Sequence, residues 1–279
     1  MSGAAFMPFG SPMYAPSRVY NALIGGREHY GREQKVAQGL LEFLPGLGKA
    51  MQESRRFILR AAAYFSDRDG LRQFIDLGCG YPADDSLDDQ NVHEVVTPGA
   101  RVAYVDFDPT VISHMVRATQ FQPEVTAVVA DVRDVGPLLS HPKLLTVIDL
   151  DQEVGVLAGG LLHHLDDEAA EHMLRDLGRK LAPGSVIALT CATGDGAPEA
   201  SVAKAQDLYE RHVGPMHLRS GKHLRALMED SGLLPLTGLH RTYELLPGHP
   251  DDVVNVDKTG PHLWAVLAEL RSPSKGSSV

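Results

Sequence analysis

The chain has 279 residues, of which 43% are hydrophobic and 22% are charged, as in ordinary globular proteins, and this length suits one large domain with or without an appendage. Its 36 acidic and 26 basic residues give a formal net charge of −10, which disfavours a nucleic-acid partner because phosphate binding depends on clustered lysine and arginine. No apolar stretch approaches the roughly 18 residues that a membrane span needs, and the N-terminus lacks a signal-peptide pattern, so we expect a cytoplasmic protein.

Helical patterns dominate the N-terminal part of the chain, before the first core strand. They cover residues 16–24, 33–44 and roughly 49–65. This is more helix than an α/β sheet needs ahead of its first strand, and such an appendage commonly covers a ligand site. We therefore expect residues 1–70 to form a helical cap or lid, residues 71–271 to form the main domain, and residues 272–279 to be a disordered tail.

Residues 74–82, FIDLGCGYP, have the pattern of a buried strand that runs into a glycine-rich turn. Gly78 and Gly80 allow a turn so tight that a ligand can lie against the backbone, as in the usual cradle of a nucleotide-like cofactor. A dinucleotide fingerprint needs a third glycine at the position of Ala83 and an immediate helix, whereas a long polar loop follows here. The turn is more similar to the DxGxG turn of class I S-adenosylmethionine (SAM) methyltransferases.

The rest of the chain alternates strands with helices, which predicts a doubly wound α/β sheet. Further strands are predicted at residues 101–105, 125–130, 154–158, 185–191, 238–246 and 263–270. Helices are predicted at residues 91–96, 111–119, 168–181, 200–212 and 218–231. Five parallel strands and a terminal hairpin-like pair match the mostly parallel, seven-stranded, Rossmann-like sheet of class I methyltransferases.

Polar residues end the first four strands, at the edge where an open α/β sheet binds its ligand. Asp106 ends the second strand, where an acid can accept both hydroxyl groups of a ribose, although Asp106 and Asp108 are also candidates for helix capping. Asp131 follows the third strand and can accept an adenine amino group, while the backbone N–H of Val132 meets a ring nitrogen. His163 follows the fourth strand, just after a pair of glycines.

Several segments resemble an actinobacterial family of SAM-dependent methyltransferases that was long catalogued as a domain of unknown function and is often associated with secondary metabolism. They are RVYNALIGGREHY (18–30), SRRFILRA (54–61), FIDLGCGYP (74–82), NVHE (91–94), ARVAYVDFDP (100–109) and LRSGKHL (218–224). The similarity covers roughly residues 16–270. The chain departs from the family pattern at Glu28 and His29, where an acid and an amide are usual, and at Cys79, which replaces a small hydroxyl residue.

The strand ends and the resemblance together predict the site residues. The expected cofactor-binding residues are Asp76, Gly78, Gly80, Asp106, Phe107, Asp131, Val132 and Gly160. The expected contacts to a methyl acceptor are Tyr20, Tyr30, Arg55, Leu161 and His163. His163, His93 and Tyr20 are candidate bases for an acceptor that must lose a proton, whereas His164 is expected to pack or to meet solvent. The two cysteines have no disulfide or metal-binding spacing, and no metal is expected.

The resemblance implies an enzyme that uses SAM and releases S-adenosylhomocysteine (SAH). We expect the methyl group to go to a small aromatic or heterocyclic secondary metabolite, for example one of indole type, with no nucleic-acid or membrane partner; a homodimer is compatible with the sequence. The alternatives are a SAM-binding enzyme that catalyses another step, such as a cyclisation, a nicotinamide oxidoreductase, and a regulator that senses SAM. The sequence leaves open whether carbon, nitrogen or oxygen is methylated.

Overall fold

The computed structural model describes residues 15–67, 69–83, 90–246 and 260–271. In these ranges the α-helices are α1 (Pro16–Ile24), α2 (Gly31–Phe43), α3 (Leu47–Asp67), α4 (Val92–Val95), α5 (Pro109–Ala118), α6 (Val135–Leu139), α7 (Asp167–Lys180), α8 (Glu199–His212) and α9 (Gly221–Asp230). The strands are β1 (Gln73–Leu77), β2 (Arg101–Asp106), β3 (Val125–Val129), β4 (Gly155–Ala158), β5 (Val186–Ala192), β6 (Leu234–Pro235), β7 (His240–Arg241) and β8 (Leu263–Glu269). Short 3-10 turns cover Leu144–Thr146 and Leu162–His164.

The strands form one sheet with the order β3-β2-β1-β4-β5-β8-β6, and β7 also pairs with β8. Strands β1 to β5 run parallel to one another, while β8 runs antiparallel to β5, β6 and β7. The strand order reverses between β1 and β4, and ligands bind beyond the carboxyl ends of the strands at such a point. The mostly parallel Rossmann-like sheet is therefore confirmed.

The edge of the sheet beside β8 differs from the prediction. The pattern predicts one strand over residues 238–246, but only β7 is extended there, and β6 is an additional short strand. Both pair with β8 at different places along it, and between them the hydroxyl of Thr237 accepts the backbone N–H of Leu267 at 3.1 Å. A turn that follows Arg241 ends β7.

The sequence also did not predict α6, because its Gly136 and Pro137 disfavour helix. The predicted tail at residues 272–279 lies outside the described residues.

Helices cover both faces of the sheet. On one face α7 and α9 contribute buried leucines such as Leu174 and Leu224, and on the other face α3 contributes Phe57 and Phe65, which pack on Phe74 of β1. Helices α1 and α2 instead pack with α8 in a separate apolar cluster. The division of the chain at residue 70 remains a prediction, since α3 shares the core of the sheet.

The helices of the described ranges include none with the length and apolar character required to cross a membrane.

Candidate active site

Strand β1 ends in a turn that contains two left-handed glycines. Gly78 and Gly80 have φ angles of 68° and 65°, a conformation that costs any other residue about 1–2 kcal/mol. The backbone N–H groups of Gly78 and Cys79 both donate to the carbonyl of Val105, at 2.8 and 3.0 Å, which ties the turn to β2. A Cβ atom on Gly80 would meet no atom of the described residues within 4 Å. The backbone at Gly80 therefore faces open space in which a ligand can lie.

This open space belongs to a cavity, here called the first cavity, whose empty space together with the solvent at its mouth amounts to about 1310 Å³. It lies at the carboxyl ends of β1 to β4 and beneath α1 and α3. All the predicted cofactor-binding residues line it, namely Asp76, Gly78, Gly80, Asp106, Phe107, Asp131, Val132 and Gly160. The residues that the sequence distributed over four strand ends are thus brought to one cavity.

Asp106 lies between the glycine turn and the start of α5. Its Oδ2 accepts the N–H of Gly80 at 3.1 Å, and its Oδ1 accepts the N–H of Asp108 at 2.9 Å. Burial raises the pKa of Asp106 to about 6, although these hydrogen bonds oppose the increase. Each carboxylate oxygen can accept a further bond, so the group can still accept two hydroxyls. Asp108 instead caps α5 by accepting the N–H of Thr110 at 2.8 Å.

Asp76 and Asp131 present two further carboxyl groups to the first cavity. Burial raises the pKa of Asp76 to about 7, while the charge of Arg55 opposes the increase and Asp106 adds to it. Asp131 is more exposed; burial acts to raise its pKa, but hydrogen bonds from Arg133 outweigh burial and lower it. The Arg133 guanidinium lies 2.5 Å from Oδ2 of Asp131. The sequence analysis did not assign Arg133 to the site, although its position two residues after the proposed ligand Asp131 was a signal.

Polar residues of α3 and β5 support the glycine pair after β4. The N–H of Gly160 donates to the hydroxyl of Thr190 at 2.8 Å, and this hydroxyl lies 2.7 Å from that of Ser54. A Cβ atom on Gly159 would lie 2.8 Å from Cγ1 of Ile58, so the turn packs closely against α3. Ser54 and Thr190 were not predicted; the only signal for Thr190 was a hydroxyl residue inside an apolar strand.

Helix α1 and the segment after it contact the opposite rim of the first cavity. The hydroxyl of Ser17 donates to Asp108 at 3.4 Å, and Nε of Arg18 donates to the hydroxyl of Tyr81 at 3.2 Å. Farther along, a carboxylate oxygen of Glu28 lies 3.7 Å from Nδ1 of His114 on α5. These contacts place α1 over the cavity, where a lid would lie.

A second cavity lies between α1, α2, α3 and α8, and its empty space together with the solvent at its mouth amounts to about 720 Å³. It is mostly apolar, with a wall that includes Leu23, Leu40, Leu44, Leu47, Met51 and Leu218. Among the described residues that line it, none is an aspartate, a glutamate, a lysine or an arginine. Pro16, Tyr20 and His164 line both cavities, so the two spaces meet at these side chains.

The paired histidines lie in the 3-10 turn after β4. His163 is 4% exposed and lines only the second cavity, and its buried Nδ1 has no hydrogen-bond partner among the described residues. His164 lines both cavities, which differs from the expectation that it would pack or meet solvent, and the centroids of the two rings are 4.2 Å apart. Burial lowers the pKa of His163 well below its usual range and that of His164 to about 4. Both imidazoles are therefore neutral at pH 7.

The structure places the other predicted acceptor residues differently from one another. Tyr20, Arg55 and Leu161 line the first cavity, and Tyr20 also lines the second. Tyr30 is 58% exposed and lines neither, and the guanidinium of Arg18 lies 4.6 Å from its ring centroid. His93 also lines neither cavity; its Nδ1 lies 2.8 Å from the hydroxyl of Tyr104, which itself lines the first cavity.

The groups that line the first cavity fit SAM. Carboxyl groups suit its ribose hydroxyls, its adenine amino group and its ammonium group, and the glycine backbone leaves room beside them.

Comparisons with known proteins support this fit. A family model described as S-adenosyl methyltransferase matches residues 10–268. A DUF574 family protein from Streptomyces avermitilis is 27% identical, with a TM-score of 0.83 over 94% of this chain and 98% of that chain. A Thermobifida fusca protein that is provisionally described as a methyltransferase is 25% identical, with a TM-score of 0.81 over 97% of this chain and 100% of that chain. A comparison with curated protein sequences gave no match. The chain therefore belongs to the S-adenosyl methyltransferase family and is a SAM-dependent methyltransferase.

Proposed function

We propose that the methyl acceptor is a small, uncharged aromatic or heterocyclic metabolite, such as an indole-type compound, that binds in the second cavity. The observation that carries this proposal is the position of that cavity: it is apolar, and it meets the first cavity at Tyr20 and His164. An acceptor there would lie next to a cofactor held at the strand ends.

The lining of the second cavity argues against a charged acceptor. A carboxylate, phosphate or ammonium group would lose its hydration without gaining an opposite charge from the lining residues that the structure describes, at a cost of several kcal/mol per ion. An aromatic ring, in contrast, finds the apolar wall, the ring of Tyr209 and the thioethers of Met51 and Met216. These contacts favour neutral, polarisable groups of an acceptor over charged ones.

The proposed cofactor contacts follow from the first cavity. Asp106 accepts the ribose hydroxyls, Asp131 and the N–H of Val132 bind the adenine edge, and Asp76 pairs with the ammonium group. SAM, when bound, supplies an electrophilic methyl group on a sulfonium. Leu161 packs over the glycine turn, since a Cβ on Gly78 would lie 2.9 Å from its Cδ1, and thereby helps to exclude water. Orientation of two reactants in such a site is worth roughly 7–11 kcal/mol.

The two histidines would act on the acceptor from different positions. His164 lies where the cavities meet, whereas His163 lines only the second cavity and its Nδ1 has no partner among the described residues. A neutral imidazole accepts a hydrogen bond at one nitrogen and donates at the other. Because the pKa of His164 is about 4, we assign it the role of orienting an acceptor O–H or N–H rather than storing its proton. His93 and Tyr30 have no role in this proposal.

The experiment compares acceptors and one cavity-filling variant. Neutral phenols and indoles are assayed beside the same rings bearing a carboxylate, and Ala205→Phe, which fills the second cavity, is compared with Ala200→Phe on the exposed side of the same helix. We expect neutral rings to be methylated, and Ala205→Phe to raise the acceptor KM at least tenfold while SAH affinity changes less than threefold. Preference for the carboxylates, or equal effects of the two variants, would contradict the proposal.

A further inference from the structure

Arg219 is an almost completely buried arginine, 1% exposed, in the LRSGKHL segment, and the proposed function gives this arginine no role. Its Nη1 donates to the carbonyl of Leu162 at 2.7 Å, and its Nη2 donates to the carbonyl of Leu165 at 2.7 Å. Its Nε donates to Oδ1 of Asp167 at 2.9 Å. One guanidinium therefore binds three points of the turn that leads from β4 into α7.

We propose that Arg219 is a positioning residue for methyl transfer, which holds His164 at the junction of the two cavities. This inference rests on the proposed function, in which His164 orients the acceptor. Two of the carbonyls that Arg219 binds, at 2.7 Å each, belong to the residues on either side of the histidine pair, Leu162 and Leu165. A further contact, not made by the guanidinium, supports the same turn: the N–H of His217 donates to the carbonyl of His163 at 2.8 Å.

The geometry requires an arginine at this place. The carbonyl of Leu162 accepts the N–H of Leu165 at 3.1 Å within the turn, and Arg219 gives this carbonyl a second donor. Arg219 also supplies a donor to the carbonyl of Leu165, and a buried carbonyl without a donor is disfavoured. The planar guanidinium reaches both carbonyls and a carboxylate with fixed angles, which the single ammonium of a lysine cannot reproduce. The buried charge is balanced at the surface, where the half-exposed side chain of Asp167 also lies 2.8 Å from Nε2 of His223.

A positioning role and a purely structural role predict different kinetics. If Arg219 only stabilised the fold, its substitution would lower the melting temperature and the amount of active enzyme, with KM unchanged and with an effect independent of His164. If it positions His164, its substitution lowers kcat of folded enzyme, and the loss disappears once the imidazole has been removed.

The test is a double-mutant cycle in the full chain with Arg219→Lys, His164→Ala and the combined variant. Turnover of a neutral aromatic acceptor that the unchanged enzyme methylates, SAH affinity and melting temperature are measured. We expect Arg219→Lys to lower kcat at least tenfold with SAH affinity within threefold, and to lower kcat less than twofold further in the His164→Ala background. Arg175→Lys, on the partly exposed side of α7, is the matched control and should change none of these values.

The outcomes separate this inference from the proposed function. Equal losses in both backgrounds, or a His164→Ala variant with unchanged kcat, overturn the role of Arg219, while Ala205→Phe tests the second cavity independently. If Arg219→Lys does not fold, Asp167→Asn replaces it in the cycle, because it removes the charged partner of the same guanidinium. We then expect at least a threefold loss of kcat that is again absent without His164, and an additive loss would overturn the inference.

Discussion

Cofactor affinity should depend on pH through the buried carboxyl group of Asp76. Its pKa of about 7 means that the ligand-free protein holds this group half protonated at neutral pH. The proposed partner is the ammonium group of SAM or SAH, which favours the carboxylate and lowers the pKa in the complex. The affinity for SAM or SAH is therefore highest well above pH 7. It decreases as the pH falls through 7, because the carboxyl group of Asp76 must then lose a proton before the ligand binds.

The magnitude follows from the same value. Below the pKa of the free protein, each pH unit weakens binding by up to about tenfold, or about 1.4 kcal/mol. Between pH 8 and pH 6, Asp76 should thus weaken SAH binding roughly tenfold. Asp106 has a pKa of about 6, and its protonation should weaken SAH binding by roughly a further twofold at pH 6 and by more at lower pH.

Calorimetry with SAH at pH 8, 7 and 6 measures this dependence, and buffers with different ionisation enthalpies count the protons released on binding. The control is Asp76→Asn, which should bind more weakly at pH 8 and show little change down to pH 7, with only the decrease due to Asp106 near pH 6. An affinity of the unchanged protein that is constant from pH 8 to 6 would refute the reasoning, as would the same decrease in both proteins.

Two further predictions concern the glycine turn and helix α1. Gly80→Ala should weaken SAH binding at least fivefold because the new methyl group enters the first cavity; Gly99→Ala, also at positive φ and also in open space, should carry the same strain without that loss. A loss of affinity shared by both variants would assign the effect to backbone strain. Arg18→Leu should release SAH several-fold faster in stopped-flow measurements, because it removes the bond to Tyr81 that ties α1 to the end of the glycine turn; an unchanged rate would argue against a lid.

The fold and the cofactor side of the site follow from local features of the sequence. The alternation of strand and helix patterns is set by side-chain periodicity, and the left-handed turn is set by Gly78 and Gly80, since other residues are disfavoured there. Parallel strands bring their carboxyl ends to one edge, so Asp106 and Asp131 could be assigned to one cavity without coordinates. These features depend on neighbours in the chain, and the sequence therefore determined them.

The acceptor side was decided by contacts between distant parts of the chain. The second cavity needs α2, α3 and α8 together, and no periodicity encodes which faces of these helices meet. Adjacent histidines look equivalent in the sequence, but the 3-10 turn directs His163 to one cavity and His164 to both.

Long-range pairing also decided the roles of Arg219 and β7. Arg219 binds a carbonyl 57 positions earlier in the chain, a partner that only the folded sheet brings near. The pattern at residues 238–246 predicts one longer strand, yet β6 and β7 bind separate parts of the same edge of β8. Side-chain patterns specify which face of an element is buried, whereas the partner depends on packing of the whole chain, and this is why the tertiary structure was required.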